Sequence, residues 1–292
     1  MKVIAALVLM SLVFSVLMFT VPVKAEEPLS LTIRPDGSIE PETDLLERNG
    51  TVYTFKGDIF GNIKVQKDDV TIDGAGHTLH GRKVTDERGI YLVSCRNVLV
   101  KNLRICNVGS GISAVGASNN SFIGNYLDTA GIHLQGSANY IGNLIKHNTF
   151  KETIIFVDYN RGGLDIITEN NFLSSGVFVD LSDAPIVDKN YWSNYTTKYP
   201  NAKELDSSGI WNTPYVNDNR GGTNTSIDYH PLVNPITDFE ISDFSNPNST
   251  PTATLTKQPE ATQLTEIYFI AAAAIAIIFV AVVVAVVIRK RK

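Results

Sequence analysis

The sequence predicts an all-β chain organised as a right-handed, single-stranded parallel β-helix of about five to six coils, and three observations carry that expectation. Two landmarks share one period. Asn102, Asn125, Asn148 and Asn171 recur at intervals of 23, 23 and 23 residues, while GIYL at Gly89, GISA at Gly111, GIHL at Gly131, IIFV at Ile154 and GVFV at Gly176 recur at 22, 20, 23 and 22. A fixed period of this length is the signature of stacked structural units. Within each unit, short apolar alternations are interrupted by Gly, Asn and Ser, and no segment keeps a helical period over several turns. The third observation is the spacing in NNSFIGN, where asparagines stand five residues apart around an apolar pair. It recurs in NVLVKN (97–102) and NLIKHN (143–148), with Asp68 and Asp73 echoing it. Coils stacked about 4.8 Å apart bring such residues into columns, where side-chain amides donate to one neighbour and accept from the next. Asn also tolerates the left-handed backbone that sharp corners demand. Asn102, Asn125, Asn148 and Asn171 are therefore expected to form a structural ladder. A leucine-rich repeat also carries a recurrent Asn, but these units lack its L-x-x-L-x-L frame.

Taken in chain order, residues 1–25 read as a secretory signal peptide: Lys2, a long apolar run and small residues at the Val23-Lys24-Ala25 cleavage site. Residues 26–69 are expected to hold an N-terminal cap and entry strands, and 70–195 the coils. Residues 196–236 are expected to close the stack. The bulky Tyr191, Trp192, Tyr195, Trp211 and Tyr215 can cover strand edges that would otherwise invite edge-to-edge association. Residues 237–266, rich in Thr, Pro, Asn, Ser and Gln, read as a stalk. Residues 267–288 are uncharged and apolar and are followed by RKRK at 289–292, the pattern of a single membrane span with a cytoplasmic basic tail. The expected localisation is thus the cell membrane, single-pass, with the bulk of the chain outside.

Between these ends the chain is acidic. Of its 25 Lys and Arg, six lie in the terminal segments, so 19 stand against all 30 Asp and Glu, a formal charge of −11 for residues 26–266. Nucleic acid and anionic membrane surfaces need a basic footprint, so neither is an expected partner. N-x-[ST] sequences begin at Asn49, Asn119, Asn194, Asn224 and Asn248.

Alternation along the GI-x-L strands points Ile90, Ile112, Ile132, Ile155 and Val177 inward with Leu92, Leu134, Val157 and Val179. Two outward columns result: Tyr91, Ser113, His133, Phe156, Phe178, and Val93, Val115, Gln135, Asp158, Asp180. Aromatics in line beside carboxylates resemble a sugar-binding strip, with Tyr91, His133, Phe156 and Phe178 as the candidate carbohydrate contacts. The same rings would equally stiffen a sheet through cross-strand pairing. Asp158 and Asp180, stacked on adjacent coils, approach the carboxylate spacing of retaining glycosidases, and with His133 they are the candidate catalytic residues should the chain be an enzyme. No Lys or Arg stands in these columns to serve as the base of a polysaccharide lyase, and no serine or cysteine nucleophile constellation is apparent.

Further residues carry a family resemblance. YTFKGDIFGNIKVQKDDVTIDGAGHTLHG (53–81), the GI-x-L coils and the closing NYWSNY…GIWNTPY…DYHPL (190–232) resemble the NosD-type β-helix proteins, particularly membrane-anchored surface members common in archaea. The resemblance implies a pectate-lyase-like fold shared with carbohydrate-binding and sugar-hydrolase β-helices. It also implies a possible role like that of the family's namesake, a periplasmic accessory factor for copper insertion into nitrous oxide reductase. Related chains often carry a more acidic, calcium-loop-like stretch where this one has KELDSSGI, in which only Glu204 and Asp206 are acidic. Copper finds little support either: Met1, Met10 and Met18 all lie in the leader, the five His residues are scattered, and Cys95 and Cys106 lack a C-x-x-C spacing. Half a coil separates those cysteines, so free thiols are expected. No cofactor or metal is therefore assigned. The function expected is a cell-surface β-helix that binds or presents an extracellular polysaccharide or envelope glycan, or serves as an envelope component. A polysaccharide hydrolase or lyase and a copper-site accessory factor are the alternatives.

Overall fold

The computed structural model describes residues 27–136, 140–158, 163–181, 183–217 and 224–237. The signal peptide, almost all of the stalk, the apolar segment 267–288 and the basic tail lie outside the described residues, and no helix among those described is long and apolar enough to cross a membrane.

The described chain winds into a parallel β-solenoid of about six turns with almost no helix. Each coil contributes a strand to three faces. The first face stacks Arg88–Val93, Ser110–Val115, Gly131–Gln135, Ile154–Asp158 and Gly176–Asp180 in parallel register. The second stacks Thr71–Asp73, Leu99–Lys101, Ser121–Ile123, Leu144–Lys146, Ile166–Thr168 and Ile186–Asp188. The third stacks Thr78–His80, Arg104–Cys106, Tyr126–Asp128, Thr149–Lys151, Asn171–Leu173 and Tyr191–Trp192. The landmark strands are thus the first face, and the asparagine-flanked apolar pairs are the second.

Alternation fills the interior. Ile90, Ile112, Ile132, Ile155 and Val177 form one buried column, and Leu92, Ala114, Leu134, Val157 and Val179 the next. Burying each such aliphatic side chain contributes about 1.5–3 kcal/mol, which fixes the register, because a one-residue slip would turn the whole set to solvent. The glycine opening GIHL has a steric cause: a Cβ on Gly131 would stand 2.2 Å from the Ile154 carbonyl oxygen of the next coil.

The two ends close differently. At the N-terminus, Leu29–Ile33 is not merely a cap but pairs in parallel with Ile59–Val65 and so adds to the stack, while Leu46–Asn49 and Val52–Phe55 form an antiparallel hairpin whose second strand joins the second face. Ile59–Val65 spans a corner, pairing at Ile59 with the third face and at Ile63 with the first. It bends at Gly61 (φ 145°), where any Cβ would strike the Leu29 carbonyl. At the C-terminus, an inner aromatic column rises along the third face through Phe150, Phe172 and Trp192 and ends on Tyr215, with the last two ring pairs each 4.2 Å apart and nearly parallel. Tyr195 and Trp211 stack beside it at 4.9 Å.

Candidate functional site

On the outer side of the first face, Tyr91, Ser113, His133, Phe156 and Phe178 are direct register neighbours, with Lys64 beyond Tyr91. The Phe156 and Phe178 rings stack at 5.2 Å, and His133 meets Phe156 edge-on at 5.1 Å. The Arg88 guanidinium lies 4.3 Å from the Tyr91 ring centre. All four rings are half-buried, whereas Ser113, small between Tyr91 and His133, is fully buried. Two polar atoms here, Ser113 Oγ and His133 Nε2, are buried without any protein partner. Burial holds the His133 imidazole below its ordinary pKa; Asp158 opposes that shift and Arg88 adds to it. Asp158 and Asp180 are register partners in the neighbouring column, with Gln135 before them. The candidate catalytic residues therefore share one face, His133 lying diagonal to Asp158.

The asparagines form two ladders, which flank the second face. Asn125, Asn148, Asn170 and Asn190 make one: the Nδ2 of each of the first three donates to the Oδ1 of the next coil's Asn (3.0–3.1 Å), that of Asn190 donates to Asp228 (3.3 Å), each Nδ2 also donates to a backbone carbonyl, and each Oδ1 accepts the backbone N–H of the residue one coil back. Asn120, Asn143 and Asp165 make the other. Asn102 and Asn171, expected in the first ladder, stand one residue outside it. Asn102 has φ 52° and bonds Asp73, leaving Leu103 in the ladder position with its N–H donating to Asn125 Oδ1. Asn171 faces outward on the third face and clamps the exit segment through both the N–H and the carbonyl of Ile236. The left-handed corner and the inward amide are separate positions: Asn102, Gly124, His147, Glu169 and Lys189 have positive φ, and the ladder residue follows each. One residue cannot serve as both, because the left-handed turn is what points its successor inward. Five-residue spacing in the sequence marks the pair of ladders, and read that way it would have found Asn120, Asn143 and Asp165.

Both ladders end on an aspartate. Donation runs toward the C-terminus, so the last member needs only to accept. Asp228 takes five donors: the backbone N–H groups of Lys189, Asn190 and His230, Asn190 Nδ2 and Trp192 Nε1. Burial pushes its carboxyl pKa up, and these donors pull against it.

A family model described as "Periplasmic copper-binding protein (NosD)" matches residues 47–219, more than half of the chain. The chain belongs to the NosD family. No curated protein and no solved structure matches it. The NosD match spans the outward strip, the asparagines of both ladders and the rings of the aromatic cap, but not the terminal Asp228, so these features are placed on a scaffold of a periplasmic family.

The donor set of this NosD chain does not fit the copper in that description. Among the described residues, no three His, Cys, Asp or Glu side chains come together in a way that could hold a metal. Cys95 and Cys106 are free thiols; burial raises the Cys95 pKa to about 11, and its Sγ lies 3.1 Å from the Val65 carbonyl oxygen. Burial raises the Cys106 pKa too, and a protonated thiol is a poor metal ligand. Glu204, from the stretch compared with a calcium loop, accepts the Gly209 N–H and steadies a short antiparallel pair with Ile210–Trp211.

Proposed function

We propose that this NosD-family β-helix acts outside the cytoplasm as a carbohydrate-binding or glycan-presenting protein, with Tyr91, His133, Phe156 and Phe178 as the contact strip and segment 267–288 as its tether. The observation that carries the reading is the pair of buried polar atoms without protein partners, Ser113 Oγ and His133 Nε2, set within a line of stacked rings. Apolar ring faces beside unsatisfied donors and acceptors are what a sugar, with its C–H faces and hydroxyls, complements. A glycan screen of the full-length chain, followed by the double substitution Phe156→Ser/Phe178→Ser, tests it. Binding should be lost in the variant, with a stability decrease of about 1–2 kcal/mol from the broken half-buried stack. A variant that keeps wild-type glycan affinity would remove the strip from consideration.

A polysaccharide hydrolase is the second reading, favoured by one observation: Asp158 and Asp180 occupy adjacent coils in register. Carboxylates stacked on adjacent coils stand near the spacing at which a retaining glycosidase holds its pair. Release of reducing ends from a glycan, abolished in Asp158→Asn and in Asp180→Asn, would establish it in place of binding alone. For copper, the donor set argues against a stable site, and stoichiometric uptake of Cu(I) by the purified chain would overturn that.

A further inference from the structure

On the second and third faces, each strand Lys or Arg stands beside a carboxylate: Lys101 with Asp73, Lys146 with Glu169, and Arg104 and Lys151 with Asp128. The first face differs. Its strands carry two cations, Lys64 and Arg88, and among the described residues neither side chain meets a carboxylate at ion-pair distance. Even Glu87, next to Arg88 in sequence, is turned to the Arg82 N–H. Two cations left without acids in an otherwise acidic chain mark a place where the acid comes from elsewhere.

Both cations border Tyr91. Lys64 is its register neighbour, and the exposed Arg88 guanidinium lies 4.3 Å from its ring centre. Stacking on a ring leaves the N–H fork of a guanidinium open to a planar oxyanion. On the next coil Ser113 interrupts the line of rings, and its Oγ is fully buried without a partner. Arg88 also helps hold the His133 imidazole below its ordinary pKa, so its charge is felt across that gap. The edges of the strip here are described residues on both sides, Arg88 and Ser110 on one and Val93 and Val115 on the other. Toward the C-terminus the column continues as His133, Phe156 and Phe178, with no further Lys or Arg. Asp158 and Asp180 lie on the coils of Phe156 and Phe178. Three and four coils at about 4.8 Å each put them about 14 Å or more from Tyr91 along the stack, beyond a screening length of about 8–10 Å. The strip is therefore cationic at its N-terminal end alone.

We propose that this end of the strip holds the single acid group of an anionic glycan, a carboxylate or a sulfate, between Arg88 and Lys64, with the Ser113 hydroxyl as a further donor. The inference rests on the strip being a glycan-binding surface and names the class of glycan: neutral sugars along the rings and one acidic sugar at Tyr91. The experiment is a binding screen of the full-length chain against short β-1,4-linked glucan, mannan and xylan oligosaccharides. Each is presented neutral, with one terminal glucuronate and with one terminal sulfate, beside polyglucuronate of the same length. An acid-bearing oligosaccharide should bind at least about 10-fold more tightly than its neutral parent, the effect of one charge-assisted contact. Preference for glucuronate assigns a uronic acid and preference for sulfate a sulfated sugar, and either supports the site. Arg88→Gln should remove the preference, Lys64→Gln should reduce it, and both should leave the affinity for the neutral parent unchanged. In wild type the preference should shrink as salt is raised. Phe156→Ser/Phe178→Ser should weaken acidic and neutral forms alike, keeping their ratio. Neutral parents bound as tightly as the acid-bearing forms would overturn the proposal and leave the strip standing as a glycan surface. Binding of no oligosaccharide would remove the strip reading, and the proposal with it. Polyglucuronate bound at least about 10-fold more tightly than the singly acidic form would overturn the single acid position. So would a preference undiminished in Arg88→Gln.

Discussion

The edges of the second face and the outer side of the first both bury polar atoms, yet they treat them in opposite ways. Along the ladders every amide is closed on the chain itself, Asn125 to Asn148 to Asn170 to Asn190 to Asp228, with backbone groups taking up the remaining capacity. On the strip, Ser113 Oγ and His133 Nε2 have no protein partner. A polar group satisfied within the fold sets register and specifies structure; one left open asks for water or a ligand. The comparison separates scaffold from surface without reference to what any relative does.

The closure can be broken most severely at its end. Asp228 faces five donors with two acceptor oxygens, and Asp228→Asn replaces one oxygen with an NH₂ group aimed at donors. Denaturant unfolding should show a loss of about 3 kcal/mol or more, because charged hydrogen bonds are removed and buried donors stranded. Wild-type stability in this variant would mean that the ladder needs no acceptor-only terminus.

Within the ladder the expected loss is smaller. Asn125→Leu removes the Oδ1 that caps the Leu103 N–H and the amide that reaches Val100 and Asn148, for a cost of about 1–3 kcal/mol. Asn102→Gly, one position outside the ladder and already at φ 52°, should change stability by no more than about 0.5 kcal/mol. Equal losses in the two would erase the distinction between corner and ladder positions.

How much of this was legible in the sequence follows from the same distinction. The period, the inward Ile and Leu columns and the outward strip were readable, because strand alternation and a 22–23-residue repeat fix them and the register pairs Tyr91, Ser113, His133, Phe156 and Phe178 as expected. The ladder was readable to within one residue: Asn125 and Asn148 stand in it and Asn102 and Asn171 do not. Asn suits both the corner and the inward position, and Asn119-Asn120 and Asn170-Asn171 place it twice in succession. Glu169 and Lys189 at left-handed corners gave no compositional hint, since there the stacked coils impose the conformation on residues that do not favour it. The five-residue spacing marks the position of Asp165, but the acceptor-only role of Asp165 and Asp228 could not be read, because it depends on the direction of donation along the stack. The C-terminal cap depends on the bond between the Val177 N–H and Asn217, forty residues apart, which no local pattern encodes.

On the first face, the carboxylate pair sharpens the comparison. If repulsion between Asp158 and Asp180 outweighs their other contacts, replacing either with Asn should raise stability by up to about 1 kcal/mol, as relief of a like-charged cross-strand pair does, and leave glycan binding unchanged. A loss of stability in both variants would show that those other contacts outweigh the repulsion, and would move the pair from surface to scaffold.

The smallest expected effect concerns His133 and tests whether the strip is shielded from water. Burial holds the folded imidazole below the ordinary value of 6.5, Arg88 adds to that and Asp158 resists it. The unfolded chain therefore binds a proton more readily than the folded one, so stability is fully present above the unfolded value of 6.5 and is lost as the pH falls from there through the lower folded value. Wild type should accordingly lose stability relative to His133→Gln between about pH 8 and about pH 5, a window set by imidazole titration. Comparing the two chains across that range cancels the carboxylates they share. A stability difference that stays flat would place the imidazole in contact with solvent. Ser113 Oγ and His133 Nε2 would then be satisfied by ordinary surface water, and the strip would lose the open polar pair that sets it apart from the ladders.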